Sequence, residues 1–203
     1  MKPGFIVAIC GGPGTGKSSL VRKLVAHYDA MPVFEGEEKD FPERIKNNLK
    51  NNENQFESRL YFRNLLVRMH LEALQHKAAG KLVIMDTFWL TNLVYVEEWL
   101  EDGLGKDLMR EVYELDHNFL PLPDLMIILK ANRERIKDFT LKRGRDFELS
   151  DDVISRFIKA GEAHYDFFKN HDNAVFIDRS ELDFDNEEHF LKITDLINKK
   201  VDA

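Results

Sequence analysis

Only one cysteine, Cys10, occurs in the chain, so neither a disulfide nor a cysteine-built metal centre is open to it. Its place at the end of an apolar run reads as core packing. No apolar stretch approaches the roughly 18 residues that a membrane-spanning helix needs, so no membrane partner is expected. Positive charge is not in excess either. The 29 lysines and arginines face 36 aspartates and glutamates, a formal net charge of −7, which argues against a nucleic-acid polymer as partner. The seven histidines lack HExxH or similar ligand spacing, which speaks against a protein-held zinc. Met1-Lys2-Pro3-Gly4 leads straight into an apolar segment, so no secretory leader is read and the expected location is cytoplasmic. No stretch separates as a linker, and residues 1–203 are read as one domain.

What is present begins with Gly11-Gly12-Pro13-Gly14-Thr15-Gly16-Lys17-Ser18, which fits G-x-x-x-x-G-K-[ST], the phosphate-binding loop. Phe5 to Ile9 before it is nearly all apolar, as a buried central strand would be, and Ser19 to Val25 after it has helical spacing. Glycines let the backbone curl its N–H groups around a phosphate, and the helix adds its positive N-terminal end. Lys17 is expected to reach the β- and γ-phosphates and the Ser18 hydroxyl to sit on Mg²⁺. Together with Ser19, these residues predict an ATP or GTP site, with ATP and Mg²⁺ as the expected cofactors.

Strand-like and helix-like stretches alternate along the rest of the chain. Val33-Phe34-Glu35, Lys81 to Asp86, Asp124 to Leu129 and Ala174 to Ile177 read as further strands. Helices are expected over about Glu53 to Ala79, Glu98 to Phe119, Arg133 to Lys142, Asp151 to Phe168 and Glu187 to Lys199. Five strands each followed by helix predict an α/β fold of three layers, a mostly parallel five-stranded sheet with helices on both faces. Sites in such sheets lie beyond the carboxyl ends of the strands, which singles out Glu35 and Asp86. Asp86 is expected on the metal side. Glu35 is expected as the base, with Glu37 and Glu38 as neighbours that could compete. Lys142-Arg143-Gly144-Arg145-Asp146-Phe147-Glu148 predicts a lid over about 142–150, its two arginines folding over a triphosphate.

With these motifs in place the chain resembles the deoxynucleoside kinase family, in particular its bacterial deoxyadenosine/deoxyguanosine kinase-like branch, a P-loop kinase fold. The similarity runs over about residues 5–170. It takes in the phosphate loop, Phe34-Glu35-Gly36, the helix with Tyr61-Phe62, Ile84-Met85-Asp86, Arg143-Gly144-Arg145-Asp146-Phe147-Glu148, and Tyr165. The resemblance implies that Glu35 takes the proton from a sugar 5′-hydroxyl and that Asp86 lies near Mg²⁺. It also implies that Arg143 and Arg145 are lid arginines, that Glu148 meets the sugar 3′-hydroxyl, and that the protein is a homodimer formed through long helices.

Two departures stand out. The family's Asp-Arg-Ser or Glu-Arg-Ser is here Asp86-Thr87-Phe88, without the arginine. Its base-reading glutamine is here Arg59, with Arg63 four residues on. Either both arginines point to water, or they enter the acceptor pocket and favour an anionic or strongly polar acceptor. Phe56, Tyr61, Phe62, Phe88 and Trp89 could stack on a base or pack the core. Trp99, Tyr113 and Phe119 read as packing. The leading expectation is transfer of the ATP γ-phosphate to the 5′-hydroxyl of a deoxynucleoside. The alternatives are a kinase for a nucleoside monophosphate or another small acceptor, an ATPase switch, and a nucleotide-binding protein without kinase activity.

Overall fold

Alternation along the first apolar run decides the layering. Strand β1 (Phe5–Gly11) points Ile6, Ala8 and Cys10 to one side and Val7 and Ile9 to the other, as successive Cβ atoms of a strand must. Both sides are buried, so the strand needs helices on both. The protein, seen in a computed structural model that describes residues 4–36, 38–144 and 148–201 and no side chain at Glu38, supplies them.

The sheet has the order β2-β3-β1-β4-β5, from β2 (Met31–Val33), β3 (Leu82–Asp86), β4 (Leu125–Lys130) and β5 (Ala174–Asp178). All four pairings are parallel. Helices α1 (Lys17–Tyr28) and α8 (Glu187–Val201) cover one face through Leu20, Leu24, Ile193 and Ile197. On the other face pack α3 (Gln55–Ala78), α4 (Thr91–Trp99), α5 (Leu104–Phe119) and α7 (Asp151–Phe168). Helix α2 (Glu43–Asn51) precedes α3, and α6 (Arg133–Arg143) packs on α7 through Ile136, Ile154 and Phe157. Among the described residues no helix is long and apolar enough to cross a membrane.

The expected fold class is the one observed: five strands, a parallel sheet, three layers. Several boundaries differ. The second strand ends at Val33, so Glu35 stands two residues beyond it. The helix expected over Glu98 to Phe119 is α5, which starts only at Leu104 after Gly103, whose φ of 141° no L side chain adopts comfortably, and Glu98 and Trp99 instead close the unexpected α4. The long helix starts at Gln55, after Asn52 and Asn54 in the left-handed conformation have closed α2.

Candidate active site

The phosphate loop leaves the centre of the sheet and turns into α1. Gly14 and Gly16 have φ of 71° and 80°, the left-handed region that favours glycine. Two hydrogen bonds brace the turn from within: Thr15 Oγ1 and Lys17 Nζ both donate to the Gly12 carbonyl, at 2.8 and 2.9 Å. A third element holds it from outside. Arg179, just past β5 and only 3 % exposed, donates from Nη1 to the Thr15 carbonyl at 3.3 Å. Its guanidinium lies 4.7 Å from the Phe139 ring centre and 3.8 Å from that of Phe184, contacts that stabilise a desolvated cation. A Cβ on Gly16 would stand 2.4 Å from Arg179 Nη1. Glycine is favoured there by its φ, and any larger residue would also have to displace the Arg179 guanidinium from the loop. Nothing in the motif announces Arg179; the sequence shows only a lone arginine after an apolar strand.

β3 lies beside β1, with Asp86 in register with Ile9, and so carries its terminal carboxylate to the loop. Ser18 Oγ donates to Asp86 Oδ2 at 2.5 Å, while Asp86 Oδ1 is buried with no hydrogen-bond partner. A serine hydroxyl and a carboxylate with an unsatisfied buried oxygen form a hard, oxygen-only donor pair. That suits Mg²⁺, which keeps few protein ligands and takes the rest from water and phosphate. The described residues contain no cluster of three His, Cys, Asp or Glu side chains that could hold a metal. Ser19 is exposed on the first turn of α1.

Thr87 fills the position after Asp86 with φ of 65°, an unusual place for a β-branched residue. Its N–H donates to the Ile9 carbonyl at 2.9 Å, and its hydroxyl pairs with that of Thr91 at 2.6 Å. The side chain is therefore committed to anchoring the start of α4. Where the resembled kinases carry an arginine, this chain carries a backbone brace.

Around this edge the charges gather. Glu35 is half-buried, and its carboxyl is pushed up to about 7, first by burial and then by Asp86. Lys17, Arg59 and Arg143 pull it back. Burial lowers the Lys17 ammonium, with Asp86 and Glu35 opposing. Arg143, at the end of α6, donates from Nη1 to both oxygens of the buried Glu148, at 3.3 and 3.2 Å. Lys17, Arg59, Asp86 and Arg143 thus all stand near enough to Glu35 to act on its charge. Arg145 and Glu37 lie outside the described residues, as does the side chain of Glu38.

The two arginines of α3 part ways. Arg59 is 3 % exposed and turned inward on the stripe of Phe62, Leu66, Met69 and Ala73. Its guanidinium sits 5.2–5.5 Å from the ring centres of Phe62, Tyr95 and Trp99. Burial lowers it to about 10, against the pull of Glu35 and the nearby tyrosines. Arg63, about 40° further round at 3.6 residues per turn, instead clamps Asp116 of α5 through Nε at 2.8 Å and through Nη2. The structure does not bring Arg63 to the Glu35 cluster, because α5 offers it a carboxylate first. Phe88 and Trp89, candidates for base stacking, are fully buried in the core, Trp89 stacked on Tyr113. Phe119, read as packing, is 80 % exposed, and Trp99 belongs to the wall around Arg59. Helix α4, which supplies Asn92, Tyr95 and Trp99, shows no clear helical period in the sequence, because it buries Thr91 and Asn92 along with its apolar residues.

The AAA-domain family matches residues 6–160 of the chain. No curated protein matches it. Among solved structures the fold is similar to that of a deoxyadenosine kinase from M. mycoides. With bound dCTP, that protein aligns at a TM-score of 0.74 and 20 % identity over 96 % of this chain and 99 % of its own. The same kinase with bound dATP aligns at a TM-score of 0.74 and 17 % identity over the same shares.

Proposed function

This chain belongs to the AAA-domain family, and from that premise we propose that it binds ATP with Mg²⁺ and transfers the γ-phosphoryl group to a hydroxyl of a small acceptor, in the first place the 5′-hydroxyl of a deoxynucleoside. The observation that carries the reading is Glu35. A phosphate loop alone fits a switch or a motor, but a desolvated carboxylate raised to about 7 beside Lys17 and Asp86 is what an attacking hydroxyl needs. The fold likeness to a deoxyadenosine kinase supports the choice of acceptor.

In this reading the loop N–H groups and the start of α1 hold the triphosphate, and Lys17 faces its outer phosphates. Ser18 and Asp86 would hold Mg²⁺, which when bound neutralises phosphate charge. Glu35 takes the proton of the acceptor hydroxyl as it attacks. Arg143, oriented by Glu148, offsets charge on the moving group, and the resemblance gives Arg145 the same work in a lid over about 142–150. Residues 1–203 act as one catalytic unit, in the cytoplasm and as a homodimer.

A second reading, phosphorylation of a nucleoside monophosphate or another anionic acceptor, is favoured by the inward turn of Arg59. The test is an ATP–Mg²⁺ transfer assay over deoxynucleosides, their monophosphates and small alcohols, in wild type and Lys17→Ala. Transfer to one acceptor class, lost in Lys17→Ala with the fold retained, is expected. Phosphate release independent of acceptor would replace the kinase by an ATPase.

A further inference from the structure

Arg59 carries a buried positive charge that no carboxylate touches among the described residues. A guanidinium offers five N–H donors in a fixed fork. In Arg59, Nη1 donates to Asn92 Oδ1 at 3.2 Å, Nε is buried without a partner, and no hydrogen bond joins Nη2 to a described residue. Nε and Nη2 form the edge with which Arg63, one turn on, clamps Asp116. On one helix the same fork is satisfied by protein in one arginine and left unpaired in the other.

Its surroundings hold the open edge in place. The rings of Phe62, Tyr95 and Trp99 stabilise the charge through their faces but accept no in-plane hydrogen bond. Asn92 is itself pinned, with Nδ2 donating to the Arg59 carbonyl at 2.8 Å and to Tyr113 Oη at 2.7 Å. That fixes Oδ1 on Nη1 and leaves the other edge without a partner among the described residues. Arg59 and Glu35 act on each other's charge without touching, which in the reading above puts the guanidinium on the acceptor side of Glu35. A buried N–H with no partner is costly, and no group among the described residues accepts from Arg59 Nε.

Building on the phosphotransferase reading above, we propose that the Nε/Nη2 edge of Arg59 selects the acceptor, which presents to it two adjacent hydrogen-bond acceptors with no donor between them. The O6/N7 edge of guanine has this pattern, and so do the paired oxygens of a phosphate or a carboxylate. The matching edge of adenine does not, because its N6 amino group is a donor and would face the donors of the guanidinium.

The test is calorimetric titration of the nucleotide-free protein with matched pairs: deoxyguanosine against deoxyadenosine, deoxyadenosine 5′-monophosphate against deoxyadenosine, and glycerate against glycerol. Variants are Arg59→Met, which keeps the apolar contacts, and Arg59→Lys, which keeps the charge without the fork. In one pair the ligand with the edge binds about 10- to 100-fold more tightly, the worth of one bidentate contact. Both variants erase the preference and leave its partner unchanged, and the pair concerned identifies the source of the edge. No preference in any pair, or one that survives in Arg59→Met, overturns the proposal; one that survives in Arg59→Lys overturns the fork in favour of a point charge. The wild-type comparison holds even where a variant does not fold. ATP–Mg²⁺ is titrated alongside: binding of the triphosphate without an edge preference refutes this inference alone, and no binding of the triphosphate refutes the phosphotransferase reading.

Discussion

Two arginines one helical turn apart on α3 do different work, and one carboxylate makes the difference. Arg63 finds Asp116 on α5 and is held by it; Arg59 finds only rings and an amide and stays buried among them. The sequence shows both on neighbouring faces of one helix, and it could not show which of them α5 would engage, because that partner lies 53 residues on. Arg63→Ala should therefore act on stability. Asp116 is nearly buried, and leaving it unpaired should cost about 1–3 kcal/mol. Denaturant unfolding should show the loss while the KM values for ATP and acceptor stay as in wild type; a raised acceptor KM at unchanged stability would place Arg63 in the site after all. Asp86 was readable because a strand-end position and a neighbouring phosphate loop agree on it. Thr87 was not, since its φ of 65° has no signature in residue type.

At the scale of elements, the phosphate loop and the strand and helix it joins were legible from composition alone, since glycine, lysine and serine at fixed spacing leave few other structures. The strand at Met31–Val33 was displaced by two residues in the reading, because the apolar pattern runs on through Phe34 after the ladder has ended. Helices α2 and α4 escaped for different reasons. The first, Glu43–Asn51, is amphipathic but so polar that only Ile45 and Asn48 are buried, and the second mixes its apolar residues with Thr91, Asn92, Glu97 and Glu98 and shows no clean 3.6 period. Arg179 escaped as well, being a single residue after β5. Its fit against Gly16 yields a prediction. In Gly16→Ala the new Cβ meets Arg179 Nη1 and the left-handed backbone is strained by about 1–2 kcal/mol. The first turn of α1 should then shift, and ATP–Mg²⁺ affinity should fall at least ~10-fold by calorimetry. Wild-type affinity in this variant would mean that the brace from β5 does not shape the loop.

On the scale of the whole molecule, the parallel order β2-β3-β1-β4-β5 brings the phosphate loop, Asp86 and Glu35 to one edge although 75 residues separate Gly11 from Asp86 in the chain. Along its whole length α5 leaves Leu104, Leu108, Leu115 and Phe119 exposed. A second copy covering them is the simplest account of so much apolar surface on one helix. Sedimentation should give a dimer for the wild type and a monomer for Leu108→Glu/Leu115→Glu; a monomeric wild type would remove the dimer from the proposal. The account as a whole stands on Glu35 as the base of a phosphoryl transfer, and the pH dependence of that transfer tests it most directly. Glu35 lies near 7 in the folded protein against an ordinary 4.5, and only its deprotonated form can accept the proton. The rate should therefore rise about tenfold per pH unit below 7 and level off above it. Glu35→Gln should be slower by roughly 10²–10⁴-fold and lack the rising limb, with ATP–Mg²⁺ affinity unchanged. A Glu35→Gln protein that transfers phosphate at the wild-type rate, or keeps the same limb, would contradict the account.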